Sequence, residues 1–175
     1  MDSNIISVSA AVQQFRLPRY SELPDVGLYL EQTTKYINSF LAPLGCLEIT
    51  ASMISNYVKK GLIPKPVKKQ YFAEHLAYLF FIAIAKQLVS MENITVLIQM
   101  QKDSYPLPAA FNYLCGQMES VIYFLFGVTD TMEESGSTVS EEKELLRGLL
   151  FSAGHMIFLR ARLDTYSAKK AAAVP

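Results

Sequence analysis

Four side chains in the stretch Thr50–Lys60 have the types and spacing for a chemical task. Ser52, Ser55, Asn56 and Lys59 fall at i, i+3, i+4 and i+7, so on a helix they form one polar stripe ending in a cation. A helix face that only meets water more often carries Glu and Lys, and Ser and Asn are mediocre helix formers. Short hydrogen-bonding groups in a row suit the edges of base pairs: Asn can bond adenine through two contacts, and Ser can bond several bases. Five lysines (Lys59, Lys60, Lys65, Lys68 and Lys69) lie between Ile49 and Ala73 with no acid among them. Pro64 and Pro66 stiffen the part that carries the last three. A basic arm beside a polar helix matches the division of labour in DNA recognition, where phosphate contacts position and base contacts specify. Composition alone leaves a solvated basic face as the alternative.

Other reactive residue types assemble into nothing comparable. His75 and His155 are far apart in the chain, and neither has a Cys or His at metal-ligand spacing. His75 is expected at a helix start, packed near the basic segment, and His155 as a core or interface histidine. Cys46 and Cys115 read as structural thiols, with Cys46, in a loop, the one candidate for a redox sensor. Glu133, Glu134, Glu141, Glu142 and Glu144 read as a solvated face, the later group well placed at a helix N-terminus. There is no glycine-rich phosphate loop, nucleophile elbow or zinc motif, and no acid/base pair can be built. An enzyme is therefore not expected, nor a cofactor or metal.

The elements that must position the stripe follow from periodicity and punctuation. Apolar residues at helical spacing predict a helix from Pro24 to Leu41. A second helix begins at Thr50 as N-cap and ends at Lys60, with Gly61 as left-handed cap and Leu62 after it. The extended segment from Gly61 to Tyr71 precedes a helix over Phe72–Val89 and a shorter one over Met91–Gln101, capped by Ser90. Tyr105–Pro108 is a joint. Beyond it an apolar stripe from Phe111 to Leu125 and another from Val139 to Tyr166 predict an antiparallel helix pair across the polar loop Thr129–Ser140. The end of the chain, from Ala168, is expected to fray. The organisation expected is an irregular segment 1–23, a DNA-binding domain 24–102 and a C-terminal helical dimerisation or effector region 103–175.

With 175 residues, 51% hydrophobic and 18% charged, the chain is too apolar to be disordered and suits one compact domain or a module with an appendage. Sixteen basic and sixteen acidic side chains cancel, yet residues 1–89 hold nine against six and residues 90–175 hold seven against ten. The longest apolar run, Leu76–Ala85, is far short of the roughly 20 residues a membrane span needs. With Asp2 near the start and no basic n-region before an apolar run, a cytoplasmic location without membrane contact is the expectation.

The span from Ile49 onward resembles the DNA-binding module of MerR-like regulators. In that family a helix-turn-helix leads into a short wing through Tyr-x-x-x-Gly-Leu-Ile, as at Tyr57, Gly61, Leu62 and Ile63. The wing returns through a basic residue and a Tyr into a helix, as Lys69, Tyr71 and Glu74-His75-Leu76 do. From Leu17 the chain resembles more closely an uncharacterised bacterial family of MerR-like proteins. The shared pattern is LPRY-x-x-LP at Leu17–Pro24, Leu-Tyr-x-x-Gln at Leu28–Gln32, S-M-I-x-N-Y-V-K at Ser52–Lys59, K-P-x-x-K-x-Y at Lys65–Tyr71, and His75. The chain departs from true MerR regulators in the long connection Ala42–Ile49, in a wing without tip glycine or arginines, and in lacking a long C-terminal coiled coil.

The resemblance implies an all-α fold, a MerR-like helix-turn-helix with a short basic wing, followed by the C-terminal helix pair. It implies a transcriptional regulator bound to double-stranded DNA, with Ser52, Ser55, Asn56 and Lys59 in the major groove and Lys60, Lys65, Lys68 and Lys69 on phosphates. The apolar surplus of Leu76–Ala85 and Val121–Val128 points to a homodimer, as reading two half-sites requires. The C-terminal helices could also enclose a small apolar effector. The alternative is a helical protein-interaction module that keeps the fold without binding DNA.

Overall fold

The computed structural model describes residues 12–132 and 139–172. They form six α-helices: α1 Leu30–Leu41, α2 Ala51–Lys59, α3 Ala73–Ala85, α4 Met91–Ser104, α5 Leu107–Leu125 and α6 Glu141–Ala172. No strand occurs among the described residues, only two isolated antiparallel bridges, Leu28 with Tyr71 and Val67 with Gln70. The fold is all-α. Glu133 and Glu134 with the rest of 133–138, half of the polar loop expected over Thr129–Ser140, and residues 1–11 and 173–175 of the two ends lie outside the described residues.

Helix α3 forms the centre. Its sequence AEHLAYLFFIAIA is apolar all round, and ten of its thirteen residues are buried, as expected of a helix enclosed on every side. Helix α1 packs on it through Ile37 and Leu41, with Tyr36, Phe40 and Phe80 in edge-to-face contact. Helices α5 and α6 cover the remainder, and Phe111 of α5 meets Phe80 at 5.8 Å. The apolar surplus of Leu76–Ala85 is thus consumed within one chain, and it is no sign of a dimer interface. Buried residues from Val12 to Ile157 belong to one continuous cluster.

One tight fit holds the C-terminal pair together, and a second joins it to the N-terminal segment. A Cβ on Gly154 would lie 2.4 Å from Val121 Cγ1 and 2.9 Å from Leu125 Cδ1, so glycine lets α5 and α6 approach closely. The described residues before α1 hold one 3-10 turn, Tyr20–Glu22, in otherwise largely irregular chain, and they are bound along α5. Phe15 and Leu17 are buried, and Glu119 accepts from the Leu17 backbone N–H at 2.8 Å and from the Arg19 guanidinium at 2.8 and 2.7 Å. That bond to Glu119 is the main reason the Arg19 pKa is raised.

Two boundaries and one side-chain environment depart from the sequence expectation. Helix α1 starts at Leu30 rather than Pro24, because Leu28 exchanges both backbone hydrogen bonds with Tyr71, at 2.9 and 2.8 Å, and this pairing needs extended chain. Helix α6 continues past Tyr166 to Ala172 where fraying was expected. His155 is exposed, stacked on Phe151 one turn earlier, and is not a core residue. Glu119→Ala removes an acceptor shared by Leu17 and Arg19; it is expected to cost about 2 kcal/mol in urea unfolding, against under ~0.5 kcal/mol for exposed Glu144→Ala.

Candidate nucleic-acid interface

The polar stripe lies on a nine-residue helix about 13 Å long. Ile54 and Tyr57 are buried against the core, and Met53 and Val58 half-buried, which fixes the rotation of α2. Ser52, Ser55, Asn56 and Lys59 are all exposed on the opposite side, as their spacing predicts. Thr50 caps the N-terminus by accepting from the Met53 N–H at 3.2 Å. The C-terminus closes as expected: Gly61 takes φ +73°, and the Leu62 N–H reaches the Tyr57 carbonyl at 2.9 Å.

The connection into α2 is held by two side chains. It contains a 3-10 turn at Ala42–Leu44 and Gly45 at φ +71°, then runs extended to Thr50. Asn38 of α1 acts like a strand partner for Ile49, donating to its carbonyl at 2.8 Å and accepting from its N–H at 2.9 Å. Lys86 donates to the Glu48 carbonyl at 2.5 Å. Its burial, opposed by Glu48, lowers its pKa. Neither anchor is visible in the sequence, since each partner lies beyond the range of local pattern.

Past Gly61, Leu62 and Ile63 are buried and hold the extended segment to the core. Lys65, Lys68 and Lys69 are exposed. The segment turns back on itself at Val67–Gln70: the Val67 N–H donates to the Gln70 carbonyl at 3.0 Å, and the Gln70 N–H to the Val67 carbonyl at 2.9 Å. Both residues of the turn have left-handed backbones, Lys68 at φ 50° and Lys69 at φ 65°. A two-residue turn of this kind favours Asn-Gly, and a lysine in that conformation costs about 1 kcal/mol. Two lysines therefore occupy the positions least suited to them, at the tip of the turn.

The return arm is braced on three sides. Gly27 permits its close approach to the chain entering α1, since a Cβ there would lie 2.7 Å from Gln70 Cβ and 2.9 Å from the Phe72 ring. Leu28 pairs with Tyr71. His75, buried in the first turn of α3, accepts from the Phe72 N–H through Nδ1 at 3.0 Å. The proton therefore resides on Nε2, which faces the Lys65 carbonyl at 3.3 Å. One neutral imidazole thus ties both arms of the turn to α3, as its expected place near the basic segment requires. The signal for the other brace was Gly27, a helix-breaking residue inside an otherwise periodic run.

All eight predicted residues are thus exposed, four on one face of α2, Lys60 at its C-cap, Lys65 on the arm that follows and Lys68 and Lys69 on the braced turn. Lys60 has an acid in its surroundings: its charge helps lower the pKa of Glu92, behind hydrogen bonds to that carboxylate. The thiols offer no second chemistry. Burial pushes Cys115 up to about 12 and raises Cys46 despite the neighbouring Arg160, the reverse of what a redox sensor needs.

A family model described as "Domain of unknown function (DUF1836)" matches residues 18–113, more than half of the chain. No curated protein and no solved structure matches the chain. Replacing the turn by Lys68→Asn with Lys69→Gly is expected to raise the unfolding free energy by about 1–2 kcal/mol, read as a higher denaturation midpoint.

Proposed function

We propose that the chain, which belongs to the DUF1836 family, is a sequence-specific DNA-binding transcriptional regulator built on a MerR-like helix-turn-helix. Helices α1 and α2 are the paired helices, α2 enters the major groove of double-stranded DNA, and the Val67–Gln70 turn is the wing. Asn56 reads a base, Ser52 and Ser55 bond base edges or phosphate, and Lys59 ends the stripe at the backbone. Lys60, Lys65, Lys68 and Lys69 lie on phosphates. The observation that carries this reading is the turn: left-handed Lys68 and Lys69 place two cations where Asn-Gly would be more stable. Strain kept at an exposed point is accounted for when the strained side chains meet a ligand. A polyanion is the ligand for a cluster of lysines without an intervening acid.

Two half-sites call for two copies. On α6, Leu159, Leu163 and Tyr166 are exposed at i, i+4 and i+7, a seam at the spacing of paired helices, and a second copy of the chain is its partner on this reading. A protein-interaction role in place of DNA is the second reading. The same seam and the cancelling net charge favour it, and recovery of one stoichiometric protein partner with no DNA would select it.

The test is salt dependence. Wild-type protein should bind duplex DNA with affinity that falls steeply with salt, and Lys65→Ala, Lys68→Ala and Lys69→Ala together should flatten the log–log slope by about 3. The stabilised Lys68→Asn, Lys69→Gly protein should also bind more weakly, which separates a lost contact from a lost fold. Affinity no better than the micromolar non-specific level, unaffected by these changes, overturns the reading.

A further inference from the structure

A cavity of about 290 Å³ lies between α3, α4, α5 and the start of α6, and no residue of α2 or the basic turn lines it. Its wall is almost wholly apolar, formed by Phe81 of α3, Leu97 and Ile98 of α4, Phe111 and Leu114 of α5, and Leu146 of α6. Ala77 and Ala110 line it where larger side chains would close it. Of the residues around it only Ala109, in the first turn of α5, is exposed, so the space is largely shielded from water. Interiors are normally packed to the density of organic crystals, and an open apolar space of this size calls for an occupant. A cavity of roughly 150 Å³ accommodates one benzene, so this one takes a bicyclic ring system.

The polar groups around the space set the charge of that occupant, because they are already engaged with one another. The Tyr78 hydroxyl donates to Gln101 at 3.2 Å, and the Gln101 amide donates to the Tyr105 carbonyl at 2.7 Å. The Tyr105 hydroxyl bonds the Ser140 hydroxyl at 3.1 Å. Glu142 accepts from the Ser104 hydroxyl at 2.9 Å, and backbone, Ser140 and Ser104 hydrogen bonds hold its carboxyl below the usual range, which keeps it ionised. The Lys143 ammonium stands over the faces of Tyr105 and Tyr113, at 5.8 and 5.7 Å, and both Lys143 and Tyr113 have further partners. An anion entering here would meet ionised Glu142, and a cation would meet Lys143. Either would also exchange water for an apolar wall, which is costly for a charge without a dedicated partner. The surroundings therefore select against both signs.

We propose that this cavity is a binding site for a compact, uncharged aromatic molecule of bicyclic size, held by apolar contact between α3, α4 and α5. The site stands on its own geometry. On the DNA-binding reading its occupant is an effector, because Ala77 and Tyr78 in the wall follow closely on His75, which holds both arms of the basic turn. Binding is tested without DNA, so its failure and the failure of that reading are distinct results.

The probe is 2-naphthylmethanol, titrated into the full chain while methyl resonances are followed by NMR. Saturable shifts are expected at Leu97, Ile98, Leu114 and Leu146, and not at the exposed Leu159 or Leu163 of α6. The shape-matched anion naphthalene-2-carboxylate and cation 2-naphthylmethylammonium should each bind about tenfold more weakly than the alcohol. Ala110→Phe, which fills the space, should abolish the shifts; if that variant does not fold, the comparison of the three probes on the wild type still decides. Absence of saturable shifts in the wild type, shifts confined to Leu159 and Leu163, or an ion that binds as tightly as the alcohol overturns the proposal. A folded Ala110→Phe protein that still binds does so as well.

Discussion

Helix α3 is the constraint on which the rest of the molecule depends. A helix buried on every side has no solvent face of its own, so the remaining elements must enclose it. Helix α1, the N-terminal arm, α5 and α6 all contribute to that enclosure, and the result is one core rather than two. The consequence for the surface is direct. Because α1 and α3 are fixed, α2 packs through Ile54 and Tyr57 and presents its other side to solvent, with Asn38 and Lys86 holding the chain that leads into it.

The same helix governs the basic turn. His75 belongs to its first turn, and the imidazole bonds the chain on both sides of Val67–Gln70. A short turn with two left-handed lysines would be marginal alone, since isolated hairpins of this length are barely stable in water. It persists because the pairing with Leu28, the missing Cβ of Gly27 and the histidine over-determine it. The neutral total charge is then a matter of placement. The acidic side chains sit largely in the C-terminal half, and the lysines of α2 and the turn keep their own face basic.

Local features were legible in the residues. Thr50 and Gly61 marked both ends of α2, and the i, i+3, i+4, i+7 spacing placed Ser52, Ser55, Asn56 and Lys59 on one exposed face. The resemblance to an uncharacterised family agrees with the matched family of unknown function. What could not be read was long-range. Leu28 leaves the helical pattern because it pairs with Tyr71, and no window around Leu28 contains that partner. The apolar surplus of α3 has the pattern of an interface because the residues that cover it, Tyr36 and Phe40 of α1 and Phe111 of α5, lie outside any local window. The left-handed backbones of Lys68 and Lys69 were hidden for a different reason: lysine carries no signal for that conformation, and only the turn imposes it.

On the proposed reading, α2 and the basic turn read duplex DNA. Selection of bound sequences from a pool of random duplexes tests it most directly, because every possible target site competes in one tube. A single enriched motif with two inverted half-sites is expected, its information content falling at one base pair when Asn56 is replaced by Ala. A pool that returns unenriched, or enriches equally for the protein lacking Lys65, Lys68 and Lys69, contradicts it.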